Sequence, residues 1–312
     1  MRYSFLVVVI LFITFLFSCD DDNDIEITSM SVEISDIRQT SALGTARIVS
    51  NGGSDILNWG ICLSESPNPT TNDITYDLVG STQTRQSLTL EGLNANTTYF
   101  AKAFATNSAG TGYSEELTFK TIPKLITDID GNTYNIIMIG SQAWMQENLK
   151  VTRFRNGDDI IDESTGSAQY IYDDSETNLD IYGRLYNLES IKDERNIAPE
   201  GWHIPSDEEW DKLLIDVLGG YEVAGGKLKE SGTEHWLSPN NEATNESNFT
   251  ALGGGYRQGS DDLYIGLLVN GYWYSHSGKV IILENANGFV ASRNKEGTAG
   301  TSSSYSIRCI MD

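Results

Sequence analysis

Between Ile27 and Thr121, short runs of apolar residues alternate with polar ones, and this period-two texture restricts the stretch to antiparallel β structure. The runs fall at 31–37, 45–50, 58–64, 87–90, 99–106 and 116–121. Turn-forming residues separate them: Asn51-Gly52-Gly53, Pro67-Asn68-Pro69 and Ser108-Ala109-Gly110. Trp59, Ile61 and Leu63 alternate along one run, as the inner face of a sandwich strand requires. Runs at this spacing predict an all-β sandwich over 27–121.

The segment Leu93-Asn94-Ala95-Asn96-Thr97-Thr98-Tyr99 narrows the type. It resembles the fibronectin type III corner, in which a Leu and a Tyr bracket the start of a strand. The run from Ala105 to Ser114 resembles the hairpin that follows that strand in the same family. Ala95 stands where that family usually has proline. The resemblance implies an immunoglobulin/fibronectin type III-like sandwich, with Tyr99 burying its ring and pinning the corner. Such domains serve as spacers or bind proteins, and the fold alone does not choose between these roles.

Ile122-Pro123-Lys124 reads as a linker to a second domain over 122–312. Asp130-Gly131 between apolar runs predicts a hairpin, because the turn needs positive φ. Asp128, Asp130 and Asn132 are weak candidates for a structural calcium, but an EF-hand loop has its Gly at the sixth position and here Gly131 falls at the fourth. No cofactor is expected. Ser206 with Glu209 makes a capping box, and Trp210, Leu213, Leu214, Val217 and Leu218 form one helical stripe that Gly219-Gly220 ends. Glycine- and aromatic-rich strands follow, then a hairpin around Asn287-Gly288 and a closing strand over 305–310. Gly253-Gly254-Gly255 lacks the Lys and Ser/Thr of a phosphate loop.

Eight ordered blocks, DIDGNTY, IGSQAWMQENLK, GRLYN, PEGWHIPSDEEW, GGKLKE, ATNESNFTALGGGYR, GYWYS and SIRC, resemble the Fibrobacter succinogenes major paralogous domain over about 125–312. That family is found in secreted and lipid-anchored proteins of Bacteroidota and Fibrobacterota. The resemblance implies an α+β, C-type-lectin-like fold, similar to that of the formylglycine-generating enzymes. Members usually carry a cysteine directly before PEGWH, which the resemblance pairs with the cysteine of SIRC. Here that position is Ala198, so Cys309 is expected as a buried free thiol.

The first residues say where the chain resides. An apolar stretch over 5–17, about 13 residues, is too short to span a bilayer. It ends at Ser18-Cys19, followed by Asp20, Asp21, Asp22, Asn23 and Asp24. This resembles the lipobox of bacterial lipoproteins, with 1–18 as signal peptide and Cys19 as the acylated first residue. The acidic tether, 19–26, resembles the surface-export tag of Bacteroidota lipoproteins. An outer-membrane, lipid-anchored, outward-facing protein follows as the expectation. A net charge of -23 excludes nucleic acid as a partner and an electrostatic grip on anionic lipid.

The function expected is a non-catalytic binding or adhesion head on a sandwich spacer. Its partner would be an extracellular glycan or protein. Tyr256, Arg257, Tyr264, Tyr272, Trp273, Tyr274 and His276 are the candidate ligand-binding residues, since aromatic rings bind sugar faces without metal. Calcium-dependent lectins of this fold use Glu-Pro-Asn with Trp-Asn-Asp, and neither occurs here. A divergent enzyme and a purely structural surface protein are the alternatives. No catalytic residue is assigned, because the second domain contains only Cys309 and no Ser-His-Asp set can be assembled from spacing.

Overall fold

The computed structural model describes residues 25–78, 84–162, 164–259, 261–294 and 303–312; Cys19 and the acids after it lie outside them. The chain divides into two compact units, one drawn mainly from residues before Phe119 and the other from Lys120 onward.

The first unit is a two-sheet sandwich. Strands β1 (Ser29–Ser35), β2 (Ser41–Ser50) and β5 (Arg85–Glu91) form one sheet, in the order β1-β2-β5. Strands β4 (Ile74–Asp77), β3 (Asn58–Ser64), β6 (Thr98–Asn107) and β7 (Gly110–Tyr113) form the other, and β8 (Leu117–Lys120) pairs with β6. This is a fibronectin type III-like arrangement, as the corner motif implied. Trp59, Ile61 and Leu63 are all buried, and Tyr99 is buried with its ring stacked on Phe119 at 5.7 Å. The short strand β4 escaped the sequence reading because it lies mostly exposed and carries no alternation. Cys62 is buried as well, because its strand runs between β4 and β6 and is covered on both faces.

The second unit combines short helices with several small antiparallel sheets. Leu125–Thr127 and Thr133–Ile139 form the expected hairpin, with Gly131 at φ +87°. Thr133–Ile139 also pairs with Gln142–Met145, and that strand pairs with the closing strand Ile310–Met311, which in turn pairs with Trp202–His203. Gly254–Gln258 pairs with Leu263–Leu267, and Asn270–Tyr274, Lys279–Glu284 and Val290–Asn294 make a three-stranded sheet. The closing segment corrects the expectation. Residues 303–310 are buried throughout, but before Ile310 they form only single bridges, such as Tyr186 with Tyr305 and Trp273 with Ser306. The segment threads from one partner to the next, so no continuous ladder forms.

These sheets are walls between two apolar cores. Trp144, Trp273, Ile281, Leu283 and Ile310 face one core, with Trp210, Leu213, Leu214, Trp236 and Phe249. Their strand neighbours Ala143, Met145, Tyr274, Val280 and Cys309 face the other, with Tyr134, Tyr186, Trp202 and Ile204. Period-two alternation therefore buries both faces. The capping box forms: Ser206 accepts from the Glu209 N–H, and Glu209 accepts from the Ser206 N–H. The helix Asp207–Asp211 then continues as a π-helix over Lys212–Val217, which buries Leu213 and Leu214. In the helix Ala224–Leu228, a Cβ on Gly225 would lie 2.5 Å from the Phe289 carbonyl oxygen, and one on Gly226 would lie 2.3 Å from that of Glu242. Two neighbouring backbones thus exclude side chains there. No helix among the described residues is long and apolar enough to cross a membrane.

Candidate functional site

Tyr256 and Tyr272 project on the same side from neighbouring strands and make a ledge of half-buried rings. Their centroids are 4.9 Å apart. Tyr305 lies buried beneath both, stacked on Tyr256 at 5.4 Å and tilted against Tyr272 at 5.5 Å. Tyr274, edge-on to Tyr305 at 4.8 Å, fixes that ring from below. Burial pushes the Tyr272 hydroxyl up to about 12. The exposed Arg293 donates to the Tyr305 hydroxyl at 2.9 Å and borders the ledge with charge.

Arg257 and Tyr264 extend the surface. The Arg257 guanidinium stacks 3.8 Å from the Tyr170 ring centroid and pairs with Asp262. The Tyr264 ring packs against Tyr172 at 5.1 Å, and its hydroxyl donates to Asp174 at 3.3 Å. Gly255 adopts φ +64°, and a Cβ there would meet the Ile265 carbonyl oxygen at 2.5 Å; the glycine run lets these strands close on each other. Tyr170, Tyr172, Arg293 and Tyr305 were missed in the sequence, since they come from separate segments and share no local pattern.

Three of the candidates do not belong to the ledge. Trp273 and Tyr274 are 1% and 0% exposed, one in each core, so neither presents a ring to solvent. His276 is exposed but lines a different groove, of about 600 Å3, with His203, Ser206, Glu209, Asp193 and Asn196. There His203 Nδ1 lies 2.7 Å from Asp312 and Nε2 lies 2.9 Å from Glu209. Burial lowers the His203 pKa, but its bonds to Asp312 and Glu209 outweigh this and leave it raised. Both ring nitrogens are thus engaged by carboxylates of the chain itself.

Asp128, Asp130 and Asn132 are engaged by the protein. Asp128 accepts from the N–H groups of Asp130 and Asn132, from the Asn132 side chain and from the Tyr134 hydroxyl at 2.6 Å. Asp130 accepts from the Thr152 N–H and hydroxyl and from Arg153. These carboxylates tie the hairpin to the following segment.

The quoted sequence blocks meet inside the unit. Asn148 of the second block, Phe249 of the sixth, Trp273 of the seventh and Arg308 of the eighth form one buried group. Asn148 Oδ1 accepts from Trp273 Nε1 at 2.9 Å, and Arg308 Nη1 donates to the Phe249 carbonyl while its guanidinium lies 4.1 Å from the Phe249 ring centroid. Lys229 of the fifth block, fully buried, donates to the carbonyls of Asn241, Glu284 and Asn287 at 2.8–2.9 Å. The blocks encode much of the interior, and the sixth and seventh also carry Tyr256 and Tyr272 of the ledge.

No curated protein matches the chain. Among solved structures, the chain is similar to the sensor domain of the anti-sigma factor RsgI4 of Pseudobacteroides cellulosolvens, at 23% identity over 32% of this chain and 99% of that one, TM-score 0.26. It is similar to the sixth fibronectin type III domain of human fibronectin type III domain containing protein 3, at 19% identity over 30% of this chain and 85% of that one, TM-score 0.24. A third likeness is to the FN1–FN3 domains of chicken CNTN1, at 18% identity over 31% of this chain and 33% of that one, TM-score 0.26. Residues 137–311, more than half of the chain, match the family model of the Fibrobacter succinogenes major domain, and the chain belongs to that family.

Proposed function

We propose that this protein is a cell-surface lipoprotein whose second unit is a non-catalytic glycan-binding head carried on a sandwich spacer. The observation that carries this reading is the pair Tyr256 and Tyr272, propped from beneath by Tyr305 and left half-exposed on one face. Rings held rigid and partly wet accept the apolar face of a sugar at little entropic cost, and the neighbouring Arg293 offers hydrogen bonds to its hydroxyls. The C-type-lectin-like fold belongs to this proposal. Its support is the resemblance of the sequence blocks and the closing strand, which returns to pair beside the opening hairpin. Thiol chemistry is a poor fit, because burial pushes Cys62 up to about 11 and Cys309 further still.

In this reading acylated Cys19 anchors the chain in the outer membrane, facing outward, since acyl chains give stable attachment when more than one is present. A glycan array with the unlipidated chain from residue 20 onward tests the head. Binding to at least one glycan class, lost in Tyr272→Ala, is expected. A silent array together with capture of a protein ligand would replace glycan with protein. Radiolabelled palmitate incorporated by the wild type and absent in Cys19→Ser tests the anchor.

A further inference from the structure

We propose that Glu230, Glu234 and His235 form a binding site for a borderline divalent transition cation of the zinc class, distinct from the tyrosine ledge. One ligand atom from each of the three lies within 4.8 Å of the others. The imidazole sets this group apart from the carboxylates scattered over an acidic surface. It also selects the ion: calcium and magnesium take oxygen, whereas a nitrogen beside two carboxylates suits zinc and its neighbours.

The frame that holds the ligands is fixed by bonds outside the group. The Glu230 N–H donates to the Ala251 carbonyl at 3.0 Å, and the Gly253 N–H donates to the His235 carbonyl at 3.2 Å. Trp236, directly after His235, is buried and donates from Nε1 to the Ala251 carbonyl at 2.8 Å. The Tyr182 ring stands edge-on to the imidazole at 6.0 Å. Gly232, at φ +88°, turns the chain between the two glutamates. Asn240, 6% exposed, staples the turn by donating to the carbonyls of Glu230 and Gly232, at 2.9 and 2.6 Å. Its own Oδ1 is buried and has no hydrogen-bond partner among the described residues.

Both Glu230 oxygens lie 3.0 Å from His235 Nδ1. Bonds of about 2.0–2.2 Å to zinc put tetrahedral ligands about 3.3–3.6 Å apart, so this pair needs only a small adjustment. Glu234 is exposed and free to swing in. Coordination through Nδ1 takes the place of the hydrogen now shared with Glu230, and the neutral ring then keeps its single hydrogen on Nε2. Water completes the coordination.

Calorimetric titration of the EDTA-stripped chain from residue 20 onward with zinc chloride, and separately with calcium chloride, tests the site. Uptake of one zinc per chain is expected. It should weaken about tenfold or more in Glu234→Gln and in His235→Gln, and an excess of calcium should leave it in place. Glu234 is exposed, so Glu234→Gln reports on ligation even if His235→Gln proves unstable. No zinc uptake, or uptake of equal strength in wild type and Glu234→Gln, would overturn the proposal; the second result would place the ion elsewhere, for example on the acids after Cys19.

Discussion

Arg308 directs two of its nitrogens, Nε at 3.1 Å and Nη2 at 2.9 Å, at the single side-chain oxygen of Asn148. Both residues are buried, and no carboxylate hydrogen-bonds or ion-pairs with this guanidinium among the described residues. Burial accordingly pulls its pKa below the ordinary guanidinium value. A neutral amide dipole, a backbone carbonyl and two aromatic faces compensate the charge. Asn148→Leu would strand the cation and the Trp273 N–H together, so urea unfolding should show a loss of about 3–5 kcal/mol. Arg308→Met removes the charge with its partner bonds and should cost less. Equal losses in the two variants would show that Asn148 does not carry the cation.

Lys229 presents a second buried charge with a different solution. Replacing it with Met leaves three carbonyl oxygens, those of Asn241, Glu284 and Asn287, without their donor. Each orphaned group costs about 1–3 kcal/mol, so Lys229→Met should rank among the most damaging single substitutions of the second unit. Thermal unfolding followed by circular dichroism reads this directly.

His203 sets a pH dependence whose sign follows from its raised folded pKa. Its contribution to stability is complete below the unfolded value, about 6.5, and is lost as pH rises through the folded value. Glu209 is the converse. Burial raises its pKa, but the bonds from Ser206 and His203 outweigh this and leave it lowered, so its contribution is lost as pH falls below the ordinary carboxylate range. Urea midpoints should therefore decline from near-neutral to mildly alkaline pH, and His203→Gln should flatten that decline. A slope unchanged in the variant would assign it to another group. Ser206→Ala, which removes the helix cap, should cost about 1 kcal/mol at every pH.

Neighbouring residues on one strand should separate binding from folding. Tyr272→Ala is expected to lose ligand at a smaller cost in stability than Trp273→Ala, which should lose about 3–5 kcal/mol through the cavity it leaves. Thermal melts and the glycan array, run on both variants, check the contrast.

The two buried thiols should resist alkylation in the native state and react fully once the chain is unfolded. Mass spectrometry after iodoacetamide treatment, with and without urea, counts them. Rapid native labelling of Cys309 would show that the closing segment opens readily.

The parts of this fold legible in the sequence are those set by neighbours a few residues apart. Ser206 and Glu209 specify a cap, and Asp130-Gly131 a turn, whatever else the chain does. The ledge was half legible. Alternation in Gly271-Tyr272-Trp273-Tyr274 gave the direction of each ring, but it could not show that a core lies on each side of that strand, which removes Trp273 and Tyr274 from the surface. Arg308 and Asn148 lie 160 residues apart, and no local pattern announces that they meet. His276 and the aromatic strand are adjacent in sequence, yet the chain turns between them and sends the histidine to another groove.

A sheet covered on both sides has no spare face on which mutations can drift. In the second unit, each strand position along Trp273–Tyr274 and Val280–Leu283 answers to one core or the other. Sequence change tolerated by relatives with this architecture should therefore collect in the connecting loops and on the outer ring surfaces. There a single scaffold could be re-addressed to new ligands without re-solving its interior.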